Sequence, residues 1–489
     1  MQVHTLPEDL TISSYLKKSA KDIAYASKII ESSVKAVSQD PFNAVLRVEN
    51  KYIQNKLDVA ITWSLRWVPI AIKDNFLLEW TINSNGSKML ENYIAPYTAT
   101  CVSQLENAGA LFVATTNMDD SAMWSSGESS YFWPTQNPID TTRVPGGSSS
   151  GSAAAVAWWL VMWALGTDTW WSVRLPAALC GIVWVKPTYG RVSRYGICAM
   201  ASSLDQAWVF TKNVDDAALL LHHMSGADPQ DATSVDTSTF EATKKSDSRL
   251  DLSSYELSGK RFALPKQYIW EALDDRIHKR LREVISFLES KWAIIEEIDM
   301  PILEYGVSTY YIVCPAEVCT NLARYDGVRF GLQKKASEYG TLEDYYADIR
   351  SEWFGEEVQR RILTWSHVLS AGHYDAYYQK AQNVRKQLRK ELACIYKDYD
   401  AIIWPTSPVP AWKLWSNNED PTQMYLMDIY TVIANLAWNP AISVPMGTVE
   451  EEGVDLPVWL QIMTDMWDEY NAFGVAKSVE EGLRLDKKS

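Results

Sequence analysis

The sequence predicts an α/β sandwich, and three observations carry that prediction. Short apolar, β-rich runs alternate with amphipathic helical segments along the chain. Residues 140–206 are dense in Gly, Ser and Pro, with two serine-rich loops around an alanine-rich helix. The composition, 489 residues with 47% hydrophobic and 22% charged, is that of an ordinary globular chain and excludes disorder, collagen-like repeats and a disulfide scaffold.

In chain order, residues 8 to about 60 read as two or three amphipathic helices, with Ile23, Ala26, Ile29, Ile30 and Val34 at helical spacing. VPIAIKDN (68–75) is a buried strand ending at Lys73, and GALFVATTNMDD (109–120) a second strand running into a helix. The longest apolar run, Ala153 to Leu165, is shorter than the roughly 20 residues that cross a membrane and reads as a buried helix, with Ser152 as its N-cap. Residues 224–258 are polar and turn-rich, a linker or surface excursion. KRFALPKQY opens a new strand and 274–291 a one-faced helix. Long helices fill 315–398, and DAIIWPTSP (400–408) and AISVP (441–445) are further buried strands. No internal repeat is present. The organisation expected is an N-terminal helical extension, 1–60, followed by one large domain, 61–489.

Lys and Arg number 46 against 61 Asp and Glu, a net charge of −15, which argues against this chain gripping a nucleic-acid backbone by itself. Six cysteines with no CxxC pair fit reduced thiols, and the polar start MQVHTLPEDL is no signal peptide, so a soluble, cytoplasmic protein without membrane contact is expected. The histidines are scattered without ligand spacing, and no metal site is predicted.

PGGSSSGSAAAVA (145–157) admits several readings. As a phosphate loop it lacks the Lys-Ser/Thr that closes GxxxxGK[ST]. Gly147 to Gly151 also matches the GxSxG elbow, with Ser149 as nucleophile and only His367 or His373 late enough to serve it. A glycine-rich turn that merely caps a helix remains as well.

A further reading comes from LGTDTWWSVRLPAALCG (165–181), which follows at fixed distance. From Val68 to Gln206 the chain resembles the amidase signature family, whose nucleophile lies in a DTGGSxRxPAxxCG segment and whose fold is an α/β/α sandwich around a mixed central sheet. The resemblance implies a Ser-cisSer-Lys triad. Ser172 matches the nucleophile, Ser148, 24 residues earlier, the bridging serine after a cis peptide, and Lys73, 99 residues before Ser172, the base. The chemistry requires these types. A serine hydroxyl attacks an amide only if a base takes its proton, and lysine is a base only where burial disfavours its charged form. The resemblance also implies an oxyanion hole from the backbone of Thr169, Trp170, Trp171 and Ser172, with Asp168 and Arg174 bracing the turn.

Within the family, NMDDSAMWSS, KPTYGRVSRYG, ASSLDQ, NLARYDGVRFG, FGEEVQRRI and NPAISVP resemble the glutamine-hydrolysing A subunits of tRNA-dependent amidotransferases. That likeness implies glutamine as substrate and ammonia passed to partner subunits B and C, which hold the tRNA. It implies no cofactor in this chain, with ATP and Mg on the partner. Glutamine carries a carboxylate and an ammonium at its α-carbon, so its pocket needs a guanidinium and a carboxylate. The matching positions are Arg361 and Asp428, with Tyr310 beside them. A stand-alone amide hydrolase of the same family would lack this clamp.

The departures from the family are all of one kind. DTGGS is DTWWS here, and WVPIAIKDN, FWPT, CGIVWVKPT, EWFGEEV and PVWLQ each carry tryptophan where the family has glycine. Tryptophan and glycine are equally common at 22 residues each. Overpacking costs about 1–3 kcal/mol per site against a total stability of about 5–15 kcal/mol, so genuine tryptophans predict a chain unable to hold this fold, at most a non-catalytic scaffold. We read them as glycines of the native protein, as results when UGA codons that encode glycine are translated as tryptophan.

Overall fold

The computed structural model describes residues 5–57, 64–236, 238, 252–269, 273–368, 374–416 and 428–486. Eleven strands form one mixed sheet: β1 (Val45–Val48), β2 (Pro69–Lys73), β3 (Leu111–Thr116), β4 (Trp163–Asp168), β5 (Val183–Lys186), β6 (Gln206–Thr211), β7 (Arg261–Pro265), β8 (Ile294–Ile298), β9 (Ala401–Pro405), β10 (Ala441–Glu451) and β11 (Val454–Met463). Their order is β1-β3-β2-β4-β6-β5-β10-β11-β9-β7-β8. β2 runs parallel to both β3 and β4, and β7 parallel to β8 and β9, while the strands between are antiparallel.

Successive residues of a strand point to opposite faces, and here the two faces feed two separate cores. Ile70 and Ile72 enter one and Ala71 the other; Phe112 is divided from Val113 in the same way, and Val183 and Val185 from Trp184. The central strands are buried along their whole length because helices cover both faces, as a sandwich requires. The α/β expectation is therefore met.

Several local expectations are corrected. Residues 8–60 are not all helical: between the helices Ile23–Ser38 and Asn50–Leu57 lies β1, which pairs antiparallel with β3 and extends the sheet. The apolar run 153–165 is not one helix. The helix Ser150–Ala157 ends at Trp158-Trp159, and the run resumes as β4, since a continuous apolar stretch fits a buried strand as well as a buried helix. Ser149, not Ser152, is the N-cap. Ser152 lies inside the helix and donates to the Leu165 carbonyl at 2.8 Å. After β3 the chain makes only the 3-10 turn Asp120–Ala122. Within 224–258, residues 237 and 239–251 lie outside the described residues.

The chain takes this fold with its tryptophans in place, contrary to the expectation that they would forbid it. Some of them nonetheless occupy glycine conformations. Among the described residues, fifteen non-glycine residues have positive φ, and nine are tryptophans: Trp67, Trp80, Trp124, Trp133, Trp159, Trp292, Trp415, Trp438 and Trp467. A bulky side chain there is an outlier, whereas glycine is at home.

Candidate active site

The parallel arrangement of β2, β3 and β4 brings their C-terminal ends, Lys73, Thr116 and Asp168, to one edge of the sheet, the usual place for a site in α/β folds. Lys73 is fully buried. Its Nζ donates to Ser148 Oγ at 2.7 Å and to Thr167 Oγ1 at 3.0 Å, and Asn75 Nδ2 donates to the same Thr167 oxygen at 2.8 Å. Burial lowers the amine to about 7, against the opposing charges of Asp119, Asp168 and Asp205. An amine so placed alternates between charged and neutral near neutrality, as a base must.

Ser148 follows a cis peptide bond to Gly147. The Gly147 N–H donates to the Ser125 carbonyl at 2.6 Å, and the Asp119 N–H to the Ser148 carbonyl at 3.2 Å. Only glycine fits at 147, because a Cβ there would lie 1.9 Å from Asp119 Oδ2. The Ser149 N–H donates to the Ser172 carbonyl at 3.0 Å and ties the two serine loops together. Ser172 Oγ is buried and has no hydrogen-bond partner among the described residues. Ser149, the elbow candidate, sits at the N-cap position of its helix without a side-chain capping bond, and its hydroxyl donates to the Thr167 carbonyl at 3.2 Å. The side chains of His367 and His373 lie outside the described residues.

Behind the Ser172 loop lies a buried ion pair. Arg174 reaches Asp168 through Nε at 3.2 Å and Nη2 at 3.1 Å. It also donates to the carbonyls of Trp170 and Thr431 and to Asn435 Oδ1. Asn435 Nδ2 donates back to Asp168 at 3.1 Å. A bidentate pair with both partners fully buried and further bonded is the arrangement in which buried charge is tolerated.

Arg361, on the helix Glu356–Val368, donates from Nε to Glu357 at 2.7 Å, while its buried Nη1 has no hydrogen-bond partner among the described residues. Asp428 opens the 3-10 turn Asp428–Tyr430 and accepts from the Tyr311 hydroxyl. Among the described residues its Oδ1 and the Trp170 Nε1 have no hydrogen-bond partner, although the indole lies near enough to favour the carboxylate. Burial pushes the Asp428 carboxyl well up, with Arg361 and Arg174 opposing. Tyr310 donates to Cys314 Sγ at 2.8 Å. The guanidinium of Arg361 sits 4.9 Å from the Trp170 ring and Tyr310 5.0 Å from it. Arg361, Asp428 and Tyr310 thus converge on Trp170, the residue two before Ser172. Trp170 and Trp171 are buried, and neither indole N–H has a hydrogen-bond partner among the described residues. Trp170 packs against Arg361 and Tyr310, and Trp171 lies 5.9 Å from Trp170 between ring centres.

The sequence reading gave no role to Thr167, Asn75, Asp119, Asp205 or Asn435, although Asp119 and Asp205 lie in NMDD and SSLDQ, segments quoted for their likeness. Among the described residues no group of three or more His, Cys, Asp or Glu is arranged to hold a metal ion, and no helix is long and apolar enough to cross a membrane.

The chain belongs to the amidase family, which it matches over residues 20–472. Within it, the chain is 42% identical over 487 residues to the A subunit of the glutamyl-tRNA(Gln) amidotransferase of Carboxydothermus hydrogenoformans, covering 96% of this chain and 98% of that one. It is 48% identical over 415 residues to the protein of the same name from Pseudothermotoga lettingae, 85% of each chain. The crystal structure of the Thermotoga maritima counterpart superposes with a TM-score of 0.79 at 38% identity, covering 97% of this chain and 94% of that one. A 6-aminohexanoate cyclic dimer hydrolase, 21% identical with a TM-score of 0.79 over 97% of each chain, shares the fold.

Proposed function

We propose that this chain is the glutamine-hydrolysing A subunit of a glutamyl-tRNA(Gln) amidotransferase, supplying ammonia that converts Glu-tRNA(Gln), or Asp-tRNA(Asn), to its amide. The observation that carries the reading is the Lys73–Ser148 hydrogen bond beside the unpartnered Ser172 hydroxyl, in a chain 42% identical to such a protein over nearly its whole length.

In the proposed reaction neutral Lys73 draws a proton through Ser148 from Ser172, whose Oγ attacks the side-chain amide carbon of glutamine. Backbone N–H groups of 169–172 stabilise the oxyanion. The proton returns along the same path to the departing nitrogen, which leaves as ammonia. Water then cleaves the γ-glutamyl ester on Ser172, releasing glutamate. Arg361 would hold the α-carboxylate and Asp428 the α-ammonium, with Tyr310 alongside; Asp168 and Arg174 brace the loop. The partner subunits B and C would bind the tRNA, with ATP and Mg on the partner, in the cytoplasm.

This chemistry requires glycine at 170 and 171, because the Trp170 indole, with Trp171 beside it, packs against groups proposed to hold the substrate. If they are real, the chain is a scaffold. Glutaminase assays of the isolated chain, and of the chain with partner subunits and charged tRNA, test the proposal. Ammonia release that ignores partners and prefers other amides would instead mark a stand-alone amide hydrolase.

A further inference from the structure

The loop that follows β4 is anchored at its first residue by a side chain. Thr169 Oγ1 donates to Asp205 Oδ1 at 2.7 Å, and both groups are buried. Asp205 immediately precedes β6, and Asp168 and Gln206 are paired in the antiparallel β4–β6 register. The Thr169–Asp205 bond therefore prolongs that ladder by one step where the backbone departs from it. The carboxylate cannot swing: its Oδ2 accepts the N–H groups of Met200 at 2.8 Å and Ala201 at 2.9 Å, and the Asp205 N–H donates to the Ala201 carbonyl at 2.8 Å. A second relation points to the reaction. Asp205 is one of three carboxylates, with Asp119 and Asp168, whose charge acts on Lys73.

We propose that Thr169 and Asp205 are a positioning pair: the carboxylate, itself held by two backbone N–H groups, fixes the start of the oxyanion loop through the Thr169 hydroxyl. The proposal rests on the function proposed above. Asp168 is paired with Arg174, whereas Asp119 and Asp205 each accept amide and hydroxyl donors; of the three, Asp119 acts on Lys73 most and Asp205 least. Among the described residues, the ionisable groups that interact with Asp205 include Lys73, Arg194, Tyr189 and Cys314. Of these only Lys73 belongs to the proposed reaction.

The test measures glutamine hydrolysis by the chain as its native host translates it, assembled with its partner subunits. Asp205→Asn turns an amide NH2 toward N–H or O–H donors and removes the charge. We expect kcat to fall at least about tenfold and KM to stay within about threefold. Thr169→Val breaks the tie but leaves the carboxylate and its two N–H donors; kcat falls similarly, and Thr169→Ser restores it. Full activity in either Asp205→Asn or Thr169→Val overturns the pair. An unmutated complex that releases no ammonia from glutamine overturns the parent reading and this one with it, a result distinct from either.

Discussion

Lys73 and Ser148, 75 residues apart in the chain, meet in a buried 2.7 Å hydrogen bond at the end of β2. The bond joins an amine of lowered basicity to the hydroxyl of a loop that is itself tied to Ser172, and it orders the expectations that follow.

If Lys73 is the base, kcat/KM for glutamine rises with pH through about 7, because the amine is protonated below that value and competent above it. Lys73→Ala should lower the rate by roughly 10²–10⁴-fold, the usual worth of a positioned base. A flat profile between pH 5.5 and 8.5, or undiminished ammonia release by the variant, would remove Lys73 from the reaction.

Arg361→Lys and Asp428→Asn should act mainly on KM. Each alters a charged group suited to one end of the glutamine backbone, and such bonds contribute about 1.5–3 kcal/mol, so KM should rise roughly 10- to 100-fold with a smaller change in kcat. Steady-state kinetics with glutamine decide it; an unchanged KM in both means that the clamp lies elsewhere.

Ser172→Ala should abolish hydrolysis and covalent labelling by an acylating probe, while Ser149→Ala should retain both, since Ser149 spends its hydroxyl on the Thr167 carbonyl. Labelling at Ser149, mapped by peptide mass, would revive the elbow reading.

Trp170→Gly with Trp171→Gly should convert an inactive recombinant chain into a glutaminase, provided the remaining tryptophans are tolerated. Independently, the intact mass of the native protein should match glycine at these positions. UGG codons at both 170 and 171 would defeat the recoding.

Trp80 and Trp292 test the same idea through stability alone. Both are 79% exposed and have φ of 64° and 65°, so a glycine there relieves left-handed strain without losing packing. Each replacement should add about 1 kcal/mol in urea unfolding. Trp158, more than a third exposed with φ of −95°, is the control and should show no gain.

Much of this was legible in the residues. β2, β7 and β9 announce themselves as short apolar runs because helices bury both of their faces. β1 does not, since VLRV is four residues long and only half buried along its length. The helix-to-strand change within 153–165 was hidden because both halves are buried and equally apolar. At the site, Lys73, Ser148 and Ser172 stand in recognisable segments at fixed spacing. Thr167, Asp205 and Asn435 are ordinary polar residues whose importance arises from partners far away in the chain, as when Asn435 meets Asp168 across 267 residues. Spacing carries no sign of such tertiary contacts.

The family match starts at residue 20 and stops at 472, yet the hydrophobic interior does not respect those limits. Leu6, Leu10, Ile12 and Tyr15 are seated in it at one end, and Phe473, Val475, Ala476 and Val479 at the other, while the Leu6 N–H reaches the Trp159 carbonyl at 2.8 Å. An expression clone trimmed to the matched boundaries would open a greasy trench along the sheet and yield insoluble protein. Crystallisation and reconstitution therefore call for untrimmed ends.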